Sequence, residues 1–517
     1  MNKSKYITTT LPYANSPAHI GHAFEFIIGD ALARYFKYNG YHVFFNIGLD
    51  EHGLKIQEAA KKEGITPQEY VDGLNGKWKD FIAKFQIFSH DNFYRTSDEE
   101  HAPKVQKFWN EALERGDIYK KKYKGTYCVG CESFKIDRDL EDKFVHGVDP
   151  AFDNAEVQAF KFRVCPDHPT TILQEVEEEN YFFKLSKYRN KLNSWAYKST
   201  EFIEPTSKRS EFLNIIDSIE DISISRLKEV VSWGVPVPED DEQTIYVWFD
   251  ALLNYIFAAH YQSRNPSDFD TIWTDSEVIQ ICGPDNLKFQ AVIFQGLLAS
   301  AGIKNTNKLL VHGTILDAQG RKMSKSEGNV VDPIDQVNKY GVEAVRYYAL
   351  AGLRTYGNSS WDEKQLVELH NSHLADDFGN LVARVTHLAG KFLEEGRDNP
   401  NIELDYSYVE NDKFCSLFNV EVDRVKELWD LYKVSEALEL TNKLVKSLNK
   451  YINDEQPWKS IESGWPVILE LHYAINQINE LYYPVIPGKV GEVKIALREC
   501  KKSIIFPKIE IKKEQVI

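Results

Sequence analysis

The spacing of hydrophobic positions divides the 517-residue chain into stretches of different texture. A short β-prone run, Lys5 to Thr10, leads into Leu11-Pro12-Tyr13-Ala14-Asn15-Ser16-Pro17. Beyond it Phe24, Ile27, Ile28, Ala31, Leu32, Tyr35 and Phe36 recur at helical spacing, and Asn39-Gly40 is a helix stop. Tyr41 to Ile47, rich in aromatic and branched residues, reads as a second strand. Strand, loop, helix and strand make a βαβ unit, which predicts a parallel α/β sheet. Residues 116–200 interrupt this texture with a charged segment holding three cysteines. The α/β texture returns at Thr244-Ile245-Tyr246-Val247-Trp248-Phe249 and at Val278-Ile279-Gln280-Ile281-Cys282. From 361 to the end the period is helical. Leu374, Phe378, Leu381, Val382, Val385, Leu388 and Phe392 form one stripe, and Ala437, Leu440, Leu444, Leu448, Tyr451 and Ile452 another, so a helical bundle is expected.

Composition narrows the class. Hydrophobic residues make up 43% and charged residues 27%, as in a soluble globular protein. No run approaches the ~20 apolar residues that span a bilayer, and Met1 to Thr10 has no signal-peptide core. No membrane association and a cytoplasmic location are therefore expected. The formal net charge of −16 excludes a basic nucleic-acid coat protein but not a local basic patch. Cys282, Cys415 and Cys500 stand in apolar contexts and read as small buried hydrophobes.

Three patterns carry chemistry. His19-Ile20-Gly21-His22 sits between a strand and an amphipathic helix, where a helix N-terminus offers N–H groups to phosphate and Gly21 lets a nucleotide approach the backbone. Alone, such a pair is as readily a helix cap. Lys322-Met323-Ser324-Lys325-Ser326, flanked by Gly320 and Gly328, is a basic loop suited to a polyphosphate whose charge develops in a transition state; alone, it is a solvated turn. Cys128-Val129-Gly130-Cys131 and Cys165-Pro166-Asp167-His168 are two knuckles with matched spacing. Cys128, Cys131, Cys165 and His168 make a closed tetrahedral set for one structural Zn²⁺.

Together and in this order, the histidine pair and the lysine loop resemble the class I aminoacyl-tRNA synthetases. Further blocks resemble the methionyl-tRNA synthetase family: Leu11-Pro12-Tyr13-Ala14-Asn15, Asp50-Glu51-His52-Gly53, Ser223-Ile224-Ser225-Arg226, Trp233-Gly234-Val235-Pro236-Val237-Pro238 and Tyr246-Val247-Trp248-Phe249-Asp250-Ala251. The resemblance covers nearly the whole chain. It implies a Rossmann-type catalytic domain in two halves, 1–115 and 201–315, an inserted zinc-knuckle domain at 116–200, a lysine-loop and stem-contact region at 316–360, and an all-α anticodon-binding bundle at 361–517.

The activity implied is ATP-dependent activation of methionine and its transfer to tRNA(Met). His19, His22, Lys322 and Lys325 would stabilise the phosphates, with Mg²⁺ accompanying ATP. Gly21, Gly283, Asp285, Ser324 and Ser326 match further ATP-binding positions. Asp50 matches the carboxylate that holds the substrate ammonium, and Leu11, Tyr13, Trp248, Ala251 and Tyr255 match the side-chain pocket. Apolar and aromatic walls suit a thioether. Asn286 and Gln290 stand where many family members have isoleucine and histidine, and these two amides are expected to hydrogen-bond to each other. Asn380, Arg384 and Trp458 match anticodon-reading positions. The insertion is too short for the editing domain that synthetases of near-isosteric substrates carry, where one methylene is worth only ~1–3 kcal/mol. The chain ends soon after Phe506-Pro507-Lys508-Ile509-Glu510, without the dimer-forming extension of some relatives, so a monomer is expected. The competing readings are an inactive tRNA-binding paralogue, which the intact histidines and lysines oppose, and a class I synthetase for cysteine or leucine, which length and the Trp248 block oppose.

Overall fold

The computed structural model describes residues 4–128, 133–135, 140–148, 157–166, 171–263, 265–323, 328–395 and 413–510. Its centre is a parallel sheet in which β1 (Ser4–Thr9) lies between β2 (His42–Leu49) and the strand Glu277–Cys282. β3 (Asn92–Arg95) extends the sheet beyond β2. Lys308–Val311 and then Ile203–Glu204 extend it on the other side. Buried on both faces, β1 needs no alternation: Tyr6, Ile7, Thr8 and Thr9 are all inaccessible. Helix α1 (Ile20–Tyr38) crosses from β1 to β2 and buries most of its length, as its apolar stripe predicts.

The strand order reverses at the seam between β1 and Glu277–Cys282. In doubly wound sheets, the crevice beyond the strand C-termini at such a reversal is where ligands bind. The segment Thr10–His19 leaves β1 at that end, and Gly283-Pro284-Asp285 leaves the neighbouring strand at the same end.

The insertion is antiparallel. Ile118–Cys128 pairs along its length with Gln174–Phe183, which in turn pairs with Ile222–Ser223. Its sheet therefore reaches past residue 200. The strand at Thr244–Phe249 is shorter than its texture suggests. Asp240–Ile245 is extended, but Val247–Ala258 is a helix, buried almost throughout and packed against the sheet. A continuous apolar run of this length does not distinguish a buried helix from a buried strand. Beyond 361, helices His370–Gly379, Asn380–Glu394, Lys413–Asp430, Val434–Glu455, Ile461–Tyr482 and Pro487–Glu499 form the bundle. Among the described residues, no helix is long and apolar enough to cross a membrane.

Candidate active site

His19 is the N-cap of α1. Its Nδ1 accepts from the backbone N–H of Gly21 at 3.1 Å and of His22 at 3.4 Å, while the His19 N–H donates to Nδ1 of His22 at 3.3 Å. The two rings stack with centroids 3.6 Å apart. Because each Nδ1 accepts, the proton of each neutral ring sits on Nε2. The pair therefore caps the helix and presents two imidazole N–H groups at its positive end, which suits phosphate oxygens. A side chain at Gly21 would press on the His19 ring at 3.0 Å.

Across the seam, a Cβ on Gly283 would touch the His312 ring at 3.5 Å. His312 Nε2 is 3.1 Å from Glu25, whose other oxygen accepts from the backbone and hydroxyl of Thr10, both at 2.6 Å. Thr10, Glu25 and His312 thus brace the crevice floor. Their polarity inside apolar segments is the one signal that marked them. Lys322 Nζ lies 3.4 Å from Asp285, so the start of the lysine loop reaches the turn after Glu277–Cys282. Ser324, Lys325 and Ser326 lie outside the described residues.

The loop is held by residues that its basic sequence did not advertise. Asp317 accepts from the backbone N–H of Gln319 and Arg321, from the Arg321 guanidinium, and from the Asn329 amide at 2.9 Å. These bonds, Asn329 foremost, hold its carboxyl down at about 2. Asn329 also donates to the Lys322 carbonyl, so both ends of the loop are tied to one carboxylate. The signal available was Asp317-Ala318-Gln319-Gly320, a turn-forming Asp and Gly.

The residues expected at the side-chain pocket lie on two walls. Asp50 is buried; its N–H donates to Pro12 and its carbonyl accepts from Ala14, which sets the segment bearing Leu11 and Tyr13 beside it. Trp248, Ala251 and Tyr255 lie on the helix Val247–Ala258 at spacings that share one face. Trp248 stacks on Phe289, centroids 3.8 Å apart. The expected amide pair does not form. Gln290 donates to the Tyr255 hydroxyl at 2.6 Å and accepts from Gln280 at 2.7 Å. Gln290 is buried on an inward-facing helical segment beside the strand that carries Gln280, whereas Asn286 sits in the partly exposed turn Pro284–Asn286.

Cys128 ends the strand Ile118–Cys128 and Cys165 follows Val157–Val164; both thiols are fully buried. Buried thiols brought to strand ends suit a structural metal. Cys131 and His168 lie outside the described residues. Among the described residues, the one trio of donor side chains close enough to share a cation is His52, His101 and Asp250. In the bundle, Asn380 is exposed at the start of Asn380–Glu394, and Arg384 lies one turn on. Arg384 donates to Asn453 at 2.7 Å and stands 5.8 Å from the ring of the exposed Trp458.

Residues 5–386 match the family model described as tRNA synthetases class I (M). The chain belongs to this family. As a class I synthetase, it is similar to the methionine--tRNA ligase of Thermotoga maritima, with 36% identity over 494 residues that cover 94% of this chain and 74% of the relative. The methionine--tRNA ligase of Caldanaerobacter subterraneus is 34% identical over 542 residues, covering 99% of this chain and 80% of that one. Among solved structures, Mycobacterium tuberculosis methionyl-tRNA synthetase in complex with methionyl-adenylate superposes with a TM-score of 0.83 at 30% identity, covering 95% of this chain and 93% of that chain.

Proposed function

We propose that this synthetase activates methionine with ATP and transfers it to the 3′-terminal adenosine of tRNA(Met), for initiation and elongation alike. The observation that carries this reading is the convergence of the stacked His19–His22 donors, the Gly283–Asp285 turn and Lys322 at the switch point of the sheet. The methionine carboxylate attacks the α-phosphorus of ATP, which enters with its Mg²⁺, and the bond to the pyrophosphate oxygen breaks. Charge builds on the phosphates, so donors placed in advance lower the barrier. His19 and His22 act there through Nε2–H, joined by Lys322, Lys325, Ser324 and Ser326 of the loop. Gly21 and Gly283 leave room for the nucleotide, with Asp285 at its ribose. Asp50 takes the substrate ammonium. Leu11, Tyr13, Trp248, Ala251 and Tyr255 enclose the thioether chain, with Gln290 holding the Tyr255 hydroxyl and Asn286 at the rim.

One structural Zn²⁺, held by Cys128, Cys131, Cys165 and His168, would fix the tip of the inserted sheet. Asn380, Arg384 and Trp458 read the anticodon, the tryptophan by stacking. Methionine-dependent ATP–pyrophosphate exchange, run beside leucine and cysteine, tests the reading. Exchange with methionine alone is the expected result. Exchange with another of the three, or with none, overturns it, and none would favour a tRNA-binding paralogue without activity.

A further inference from the structure

Recognition of a free amino acid needs two walls at a set distance, one for the ammonium and one for the side chain. Here the ammonium wall is the loop after β2, with Asp50, and the side-chain wall is the helix Val247–Ala258, with Trp248, Ala251 and Tyr255. Two residues beyond Asp50 stands His52, and two beyond Trp248 stands Asp250. His52 Nδ1 donates to Asp250 at 2.9 Å, and both side chains are buried. The other carboxylate oxygen of Asp250 lies 3.5 Å from Nε2 of His101, the first residue of the helix His101–Glu114. The Tyr94 hydroxyl, from β3, lies 2.9 Å from His101 Nδ1.

Burial lowers the pKa of His101, keeping it neutral, so it has one N–H. The Tyr94 hydroxyl pairs with Nδ1, and the tautomer with its N–H on Nε2 is the one that suits the facing Asp250 carboxylate. Burial would raise the Asp250 pKa, but His52 and His101 outweigh it and the carboxyl stays ionised. The carboxylate is thus bonded to the His52 imidazole and faces the His101 imidazole, from a second element, at 3.5 Å, longer than a direct hydrogen bond. Lys104, Asp98 and Glu100 are the other charged groups that act on the cluster, through His101 and Tyr94. The loop is braced on its far side as well. Glu51 N–H donates to Thr96, Trp233 Nε1 donates to the Glu51 carbonyl, and the Trp233 ring stands edge-on to His52. No atom of the trio is needed for phosphate chemistry, yet its bonds sit within two residues of both recognition walls.

We infer that His52, Asp250 and His101 form a positioning triad that sets the spacing between the ammonium carboxylate and the side-chain pocket, and so governs methionine affinity in particular. This rests on the function proposed above. None of the three is a catalytic residue, since none is assigned a contact with substrate. A buried carboxylate bonded to one imidazole and packed against a second holds the loop and the two helices at set distances. Losing one donor would let the loop and the helix drift, and misplacement on the scale of 1 Å is enough to cost 10²-fold.

The test uses the full-length protein in pyrophosphate exchange, varying methionine and ATP separately. Asp250→Asn, nearly isosteric, and His52→Leu are expected to raise the methionine KM by ~10–100-fold while the ATP KM stays within ~3-fold. His52→Asn, whose amide nitrogen replaces Nδ1, and His101→Gln, whose amide nitrogen replaces Nε2, should restore most of the affinity that His52→Leu and His101→Leu lose. Circular dichroism and a thermal melt establish that each variant is folded. Methionine KM unchanged within ~2-fold in folded Asp250→Asn and His52→Leu overturns the triad. So does a parallel rise in both KM values, which marks a merely structural role. Absence of methionine-dependent exchange in the unaltered protein would overturn the functional reading itself, a result distinct from either.

Discussion

Asp317 shows how much a single carboxylate can organise. It gathers the Gln319 and Arg321 amides, the Arg321 guanidinium and the Asn329 amide, and so ties the two ends of the lysine loop together. Its folded pKa, about 2, lies below the ordinary carboxylate value near ~3.9. A depressed carboxyl contributes its stabilisation in full above the unfolded pKa. The Asp317 tether should therefore be at full strength above about pH 4 and lost as pH falls through about 2. Asp317→Ala at neutral pH should slow pyrophosphate exchange ~10-fold, equivalent to ~1.4 kcal/mol of barrier, with methionine KM unchanged. An unaltered rate would mean that exchange does not depend on this tether. Gln290 presents a second case. Gln290→Leu removes the acceptor for the Gln280 amide and the donor for the Tyr255 hydroxyl, both buried. Such a loss costs ~1–3 kcal/mol. A lowered melting temperature is expected, and a melt identical to that of the parent chain would show that water takes over both bonds.

At the scale of elements, periodicity made the fold legible wherever one face of an element decides its burial. The stripe Phe24 to Phe36 became α1, and the stripe Ala437 to Ile452 became Val434–Glu455. It failed at Tyr246–Phe249, because an element buried on all sides has no polar face to betray its period. The site was legible in its motifs and illegible in its supports. His19, His22 and Lys322 announce themselves by type and spacing, and the fold brings them to one crevice. Phe289 and His312 act through contacts between segments distant in sequence, which no local pattern encodes. The bundle carries its own test. Arg384 and the 3₁₀ turn Pro457–Lys459 place a guanidinium near an exposed indole. Trp458→Ala should lower kcat/KM for tRNA aminoacylation by the equivalent of ~1–3 kcal/mol, the worth of one stacked base, while pyrophosphate exchange is unchanged. Equal losses in both assays would place Trp458 in the fold rather than at the tRNA.

Across the whole molecule, a buried arginine is one of the points at which the catalytic sheet's layer and the helical bundle meet, beside the Tyr35–Trp429 stack and the Lys5–Tyr432–Glu277 cluster. Arg346, on the helix Val342–Tyr347, is inaccessible to solvent. Its guanidinium donates to Asp30 on α1 at 2.7 Å, to the Phe85 carbonyl at 3.0 Å, and to the carbonyls of Pro484 and Val485 at 3.0 and 2.9 Å. Pro484 and Val485 lie between the last two helices of the bundle, and α1 begins at the His19–His22 pair, so one side chain joins the helix that carries this pair to the bundle. Asp30 also accepts from Arg34 and Ser89. Burial alone would raise its carboxyl, but the two guanidinium groups outweigh burial and its pKa lies below the ordinary value. Its contribution is therefore present above about pH 4 and declines as the solution is acidified further. Breaking a buried pair from one side leaves a charge and several carbonyls unmatched, at ~3–5 kcal/mol. Arg346→Met should lower the thermal midpoint of the chain sharply. Asp30→Asn should lower it too, but the double variant should fall short of the sum of the singles by ~0.5–3 kcal/mol, because the second change removes a charge that the first had already stranded. Strict additivity would mean that the two residues stabilise separate parts of the fold. Non-additivity would identify the Asp30–Arg346 pair as a coupled joint between the sheet's layer and the bundle, acting beside the Tyr35–Trp429 and Lys5–Tyr432 contacts.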